Sequence, residues 1–171
     1  HITKDGYNIP LLEKCINRMQ EKYGLKVYLE PGEAVALNAG FLVTEVLELI
    51  EGPEREMPVA ILDASAACHM PDVIEMPYRP PLLNSGEEGE KTYSYMLAGA
   101  TCLAGDNIGI YSFDEPLQCG QRLVFGDMAI YTMVKNNTFN GMALPDIYYV
   151  DSQDELKCIK KFAYENFKCR L

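Results

Sequence analysis

The sequence predicts an α+β chain, in which a helix–strand unit from the end of an α/β domain precedes an all-β domain. Three observations carry this reading. Apolar residues across 10–22 recur at helical spacing. A strand-like run at 26–30 is stopped by Pro31-Gly32. Farther on, short β-rich runs alternate with turn signals.

In the first element, Leu11, Leu12, Cys15, Ile16 and Met19 share helical spacing, with Glu13, Lys14, Arg18 and Glu21 elsewhere on the wheel. Asn8 suits the N-cap, Pro10 the first turn and Gly24 the close of the helix. Val27, Tyr28 and Leu29 suit a strand, which places Glu30 at its carboxyl end. That edge is where α/β folds collect ligands and catalytic groups. On this stretch alone a solvated or salt-bridged turn residue is the better reading of Glu30.

Residues 33–40 favour a short helix. The alternating run 41–50 predicts a strand, and "PVAILDAS" at 58–65 a second, buried one that ends in Asp63. Pro77 to Glu90 reads as loop. "TYSYMLAG", "QRLVFGDMAIYTMV", "TFNGMA" and "DIYYV" are short, β-rich and turn-separated, which points to an antiparallel sandwich or barrel. Tyr131 is expected at the end of a strand, and Asn140-Gly141 in a hairpin turn. The basic, aromatic tail from Glu155 has no clear assignment. The domains are thus 1–37, the end of an α/β domain, and 38–171, a β-domain. A lone helix and strand cannot close a parallel sheet, so the partners of 1–37 are expected outside this sequence. The start at His1 rather than Met fits a missing leader or a piece of a longer protein.

The chain has 171 residues, 48% of them hydrophobic, enough for a sizeable core. Its net charge of −10 repels phosphate backbones and suits cationic ligands better than nucleic acid. No run of eighteen apolar residues offers a membrane span. Six cysteines without a CxxC pair match neither a zinc site nor a disulfide framework, and suggest free thiols in a reducing cytoplasm.

Two loops concentrate chemistry. "DASAACHMPDVIEMPYRP" gathers Asp63, Cys68, His69, Asp72, Glu75 and Tyr78. "AGATCLAGDNIG" holds Cys102 and Asp106 between glycines. A lone cysteine is most often a small buried apolar residue. Neighbours such as Cys68 and His69 point apart in a strand, so they make a poor nucleophile–base pair. A metal site on Cys68, His69 and Asp72 lacks a second cluster to complete it. Tyr131, taken alone, is a packing residue.

Taken in order, "LEPGEAVALNAG", "LAGATCLAGDNIG", "GQRLVFGDMAIYTM" and "TFNGMALP" resemble the C-terminal half of the alanine-racemase-fold decarboxylases. These depend on pyridoxal phosphate and include ornithine and diaminopimelate decarboxylases. "CHMPDVIEMPYRP" and "SFDEPL" are similar to the branch that acts on carboxynorspermidine and carboxyspermidine. The resemblance covers nearly the whole chain. It implies the terminal unit of a TIM-type, cofactor-binding barrel over 1–37, then a Greek-key barrel or sandwich. His1 would directly follow a Gly-rich phosphate loop. The absent barrel half would carry the Schiff-base lysine, since no lysine here lies in a matching motif.

By the same resemblance, Glu30 pairs with the pyridine nitrogen of pyridoxal 5'-phosphate, Gly32 lets the backbone approach the phosphate, and Tyr131 lies near that phosphate. Cys102 is the catalytic cysteine that helps control proton return, entering from the other subunit of a homodimer. Asp106 belongs to that loop and orders the dimer contact, and is expected with Asp72, Glu75 and Tyr78 on the substrate side. Two positions depart from the wider family. Glu33 stands where Arg is usual, and Leu103 where polyamine-type relatives often have an acid. A polyamine-like substrate, a chain of ammonium groups, suits the acidic balance. Two alternatives stay open: a non-catalytic dimerisation β-domain, and a diaminopimelate- or ornithine-type decarboxylase.

Overall fold

The computed structural model describes residues 8–169, and the expected join at His1 lies outside them. The chain divides into two compact units between Leu37 and Asn38.

The first unit holds α1 (Ile9–Tyr23) and α2 (Gly32–Ala36). Asn8 Oδ1 accepts from Leu11 N at 2.9 Å, satisfying one of the amides that a helix start leaves unpaired. Gly24 ends α1 in the left-handed region, at φ 63°, and donates to Gln20 O at 2.9 Å. Residues 26–30 form no strand. This corrects the expected strand ending at Glu30. An extended segment needs a partner to fill its backbone hydrogen bonds, and no described strand lies beside it.

The second unit contains β1 (Leu42–Ile50), β2 (Val59–Leu62), α3 (Ala66–His69), α4 (Asp72–Glu75), β3 (Tyr93–Ala98), β4 (Asn107–Phe113), β5 (Arg122–Phe125), α5 (Tyr131–Val134), β6 (Ile147–Val150), β7 (Leu156–Lys160) and α6 (Tyr164–Lys168). Five strands make one sheet in the order β4-β3-β2-β1-β5, and β6-β7 form a separate antiparallel pair. The unassigned tail thus supplies β7 and α6.

Three expectations are corrected. The sheet is mixed, because β2 and β3 run parallel, with Val59 opposite Met96 and Ile61 opposite Ala98. The described residues therefore form neither an all-antiparallel barrel nor a two-sheet sandwich. Instead the sheet curls until segment 81–86 bonds to both of its edges. Leu83 N reaches Val124 O on β5 at 3.0 Å, and Gly86 N reaches Ser112 O on β4 at 2.8 Å. Tyr131 opens α5 rather than ending a strand. Asn140-Gly141 lies in a 3-10 turn, Phe139–Gly141, with φ of 56° and 76°, and joins no paired strands. The left-handed preference of Asn-Gly is used, but without strands on either side to make a hairpin.

Alternation along β1 buries Leu42, Thr44 and Val46 and exposes Val43 and Leu47. The buried side packs with Leu62, Leu97, Ile108, Tyr111 and Phe125, all at or below 2% exposure. Burial of each such large side chain stabilises the fold by about 1.5–3 kcal/mol. Tyr111 and Phe125 meet edge to face at 6.0 Å, and the buried Tyr111 hydroxyl donates to Pro80 O at 2.7 Å.

Strand direction then positions the loops. Both β5 and β2 are antiparallel to β1, so they point the same way, and β3 runs parallel to β2. The segments that leave the carboxyl ends of β2, β3 and β5 emerge at one edge of the sheet. They are α3–α4, the Cys102 loop and the α5 segment.

Candidate active-site edge

The three segments are bonded to one another. Asp106 closes the Cys102 loop from inside. It is 4% exposed, and its carboxylate accepts from Ser65 Oγ (2.9 and 3.0 Å), Ala67 N (3.1 Å), Thr101 N (3.2 Å) and Thr101 Oγ1 (2.6 Å). Ser65 also caps α3, accepting from Cys68 N at 3.1 Å. Gly99 makes this approach feasible, since a Cβ there would sit 2.3 Å from Asp106 Oδ2. The bonds to Asp106 are all made within the chain, whereas the sequence placed Asp106 on the substrate side. Its oxygens are consumed within the chain, and it orders the loop.

The segment after α5 ties to both other loops. Asn137 Nδ2 donates to Ala67 O at 2.8 Å, and Asn137 N to Cys68 O at 2.9 Å. Asn140 Oδ1 accepts from Cys102 N at 2.9 Å, while Cys102 itself is exposed. His69 is buried. Its Nδ1 accepts from Ser65 N at 3.0 Å, so Nε2 carries the proton and donates to Ala143 O at 3.0 Å. Burial holds the imidazole below its ordinary range. With both ring nitrogens committed, His69 cannot serve Cys68 as a base, and burial pushes the Cys68 thiol up.

Asp72, Glu75 and Tyr131 come together through a residue the sequence reading missed. Lys135 Nζ lies 2.6 Å from Asp72 Oδ1, 2.9 Å from Glu75 Oε2 and 4.9 Å from the centre of the Tyr131 ring. Hydrogen bonds to Asp72 and then Glu75 raise the lysine above its ordinary range. The signal was spacing. Tyr131 and Lys135 are four apart, neighbours on a helix but not on the strand expected there. Tyr78 lines an open cleft of about 520 Å³ together with Val73, Arg79 and Met96. Arg79 is itself committed to Glu87, Gly86 O and Ile110 O, with its guanidinium 3.9 Å over the Tyr111 ring.

In the first unit, Glu30 and Gly32 are exposed, and nothing lies within 4 Å of a Cβ built on Gly32. Tyr131, in the second, is 42% exposed. Taken one by one, these residues have chemistry that suits parts of pyridoxal phosphate: the Glu30 carboxylate a ring nitrogen, the open backbone at Gly32 a phosphate, and the Tyr131 phenol a hydrogen-bond acceptor. Lys135 does not fit the imine-forming role, because its carboxylate partners keep it an ammonium. Among the described residues there is no cluster of potential metal ligands, and no helix long and apolar enough to cross a membrane.

Residues 11–129 match the pyridoxal-dependent decarboxylase C-terminal sheet domain. A carboxynorspermidine/carboxyspermidine decarboxylase of Campylobacter jejuni is 44% identical over 99% of this chain and 47% of its own length. A carboxyaminopropylagmatine decarboxylase of Synechocystis is 42% identical over 99% of this chain and 44% of its own. The crystal structure of C. jejuni carboxynorspermidine decarboxylase complexed with norspermidine superposes with a TM-score of 0.84 at 43% identity, covering 100% of this chain and 49% of that one. The chain spans a little under half the length of these relatives. It belongs to the pyridoxal-dependent decarboxylases, as a member of their C-terminal sheet-domain family.

Proposed function

We propose that this chain is the C-terminal portion of a pyridoxal-phosphate-dependent decarboxylase acting on carboxynorspermidine or carboxyspermidine in polyamine biosynthesis. The observation that carries the reading is the 44% identity to such an enzyme across 99% of the chain. When bound, the cofactor supplies a sink for the electrons left as carbon dioxide departs. A barrel half outside this chain supplies the Schiff-base lysine. Glu30 holds the ring nitrogen protonated, Gly32 gives the phosphate close backbone approach, and Tyr131 donates to the phosphate. Cys102 returns a proton from Sγ to the carbon that lost carbon dioxide, across a homodimer interface. Its exposed place on a loop fixed by Asp106 and Asn140 supports that role. Asp72, Glu75 and Tyr78 serve the cationic substrate.

A diaminopimelate-type substrate would need a cation for its distal carboxylate. Arg79, the arginine beside Tyr78, is already engaged by Glu87 and two carbonyls, which argues against it. A second reading, carboxyaminopropylagmatine as the substrate, is favoured by the similar identity of 42%. The test is carbon dioxide release by the purified full-length protein from carboxynorspermidine, carboxyspermidine, carboxyaminopropylagmatine, diaminopimelate and ornithine. The expected result is turnover of the first two, and a kcat at least about 100-fold lower in Cys102→Ala with the fold unchanged. Preference for the third would install the second reading. Turnover of diaminopimelate or ornithine alone, or of none, would overturn the proposal, the last leaving an inert dimerisation domain.

A further inference from the structure

Asp72 and Glu75, three residues apart on α4, converge on one ammonium, Lys135 Nζ, at 2.6 and 2.9 Å. The face of Tyr131 lies 4.9 Å from the same nitrogen. Two carboxylates and an aromatic face are the groups that bind an alkylammonium ligand. The constellation is thus a complete cation site, and its occupant is the chain's own side chain.

The two carboxylates differ. Glu75 is 58% exposed and the Lys135 side chain 37% exposed, so solvent and solutes reach the pair. The Asp72 side chain is only 5% exposed. Its Oδ1 is bonded to Lys135, while no described residue donates to its Oδ2. A buried carboxylate oxygen without a donor is unfavourable, and an incoming N–H group would satisfy it. This contrasts with Asp106, whose oxygens are saturated.

We propose that Lys135 is a specificity-determining residue, an internal competitor that a polyamine ammonium must displace from Asp72, Glu75 and the Tyr131 face. The inference rests on the reading that the ligand is a polyamine. Exchange of one alkylammonium for another leaves the hydrogen bonds nearly unchanged in kind. The tethered lysine therefore wins against a free monoamine through its high effective concentration, on the order of millimolar for short flexible tethers. A ligand displaces it only if other parts of that ligand are anchored elsewhere. Lys135 so rejects small monoamines and admits long polyamines. It also leaves the site with one net negative charge from two carboxylates and one ammonium, matched to one cationic end.

The test is calorimetric titration of the full-length protein with norspermidine and with butylamine, which reads binding without turnover. Four proteins form a charge series: Glu75→Gln, wild type, the double variant Lys135→Met/Glu75→Gln, and Lys135→Met. Norspermidine affinity should rise about tenfold in Lys135→Met and fall by a similar factor in Glu75→Gln. The double variant, with the wild-type net charge, should lie near wild type. Butylamine binding should become measurable only where Lys135 is removed. Lys135→Arg, which keeps a tethered cation, should behave as wild type, and Lys135→Gln substitutes for the methionine variant if that fails to fold. Unchanged or weaker norspermidine binding in folded Lys135→Met or Lys135→Gln would overturn the proposal and leave Lys135 a scaffold residue. The functional reading fails separately. A protein that follows this series yet decarboxylates no carboxy-polyamine loses the proposed reaction and keeps the displaceable lysine.

Discussion

Asp106 and Asp72 are both 4% exposed, and both sit on segments that leave the same sheet edge. Their partners differ. Asp106 is surrounded by two hydroxyls and two backbone amides, all from its own chain and all within 3.2 Å. Among the described residues, the Asp72 carboxylate has one partner, the ammonium of the partly exposed Lys135. A carboxylate saturated by fixed neutral donors is part of the scaffold, because replacing its partners would break two loops. A carboxylate held by one solvent-accessible, tethered cation can exchange that cation for another. Burial alone does not separate a structural acid from a binding one, whereas the identity and tether of the donors do.

The largest effect that could break this comparison is on stability. Asp106→Ala strips the acceptor from four donors and should destabilise the full-length protein by about 3–5 kcal/mol, read by denaturant unfolding. Asp72→Ala should shift unfolding far less, since its lysine is solvated and keeps Glu75. Equal losses would show that Asp72 is scaffold as well. Next in size is Gly99→Ala. Its Cβ would meet Asp106 Oδ2 at 2.3 Å and the Ser65 Cα at 2.7 Å, so the Asp106 network must shift. A loss of about 1–3 kcal/mol is expected, with turnover falling as the Cys102 loop is displaced. Full stability in this variant would mean that the loop is looser than its bonds imply.

The smallest effect is a pH dependence from His69, which joins α3 to Ala143 and feels the charges of Asp63 and Asp106. Its folded-state pKa lies below the ordinary histidine value because burial disfavours the charged ring. The unfolded chain therefore binds the proton more readily. Stability from the neutral ring is present above about pH 6.5 and is lost as pH falls through the lowered folded value. Melting temperatures measured between pH 5 and 8 should drop on the acid side, and His69→Gln should flatten that slope. An identical slope in the variant would assign the acid sensitivity to other groups.

Local chemistry in the sequence carried several elements. The α1 helix starts at an Asn cap and ends at a left-handed glycine because both are settled by neighbours within four residues. The alternation of 42–46 placed β1 and its buried face. At the site, the two loops around Asp72 and Cys102 were legible as concentrations of chemistry, and the resemblance to a decarboxylase family came from short ordered motifs. What was misread involved partners distant in sequence. Residues 26–30 have strand-forming side chains but no described strand to pair with. Tyr131 to Val134 carries β-type residues yet forms a helical turn, in which Lys135 N bonds to Tyr131 O at 2.9 Å and Lys135 Nζ reaches α4.

Composition, capping and periodicity thus determined which segments fold locally and which loops hold reactive groups, since those are properties of a few adjacent residues. Only the tertiary structure decided that β2 and β3 run parallel and β5 with them, which brings three loops from residues 63, 99 and 126 onward to one edge. Only it decided that Asp106 turns inward to Ser65 while Asp72 turns to Lys135. The reason is physical. An aspartate has the same charge and length everywhere, and its role is fixed by which donors chain reversal brings within 3 Å, a fact that no local pattern encodes.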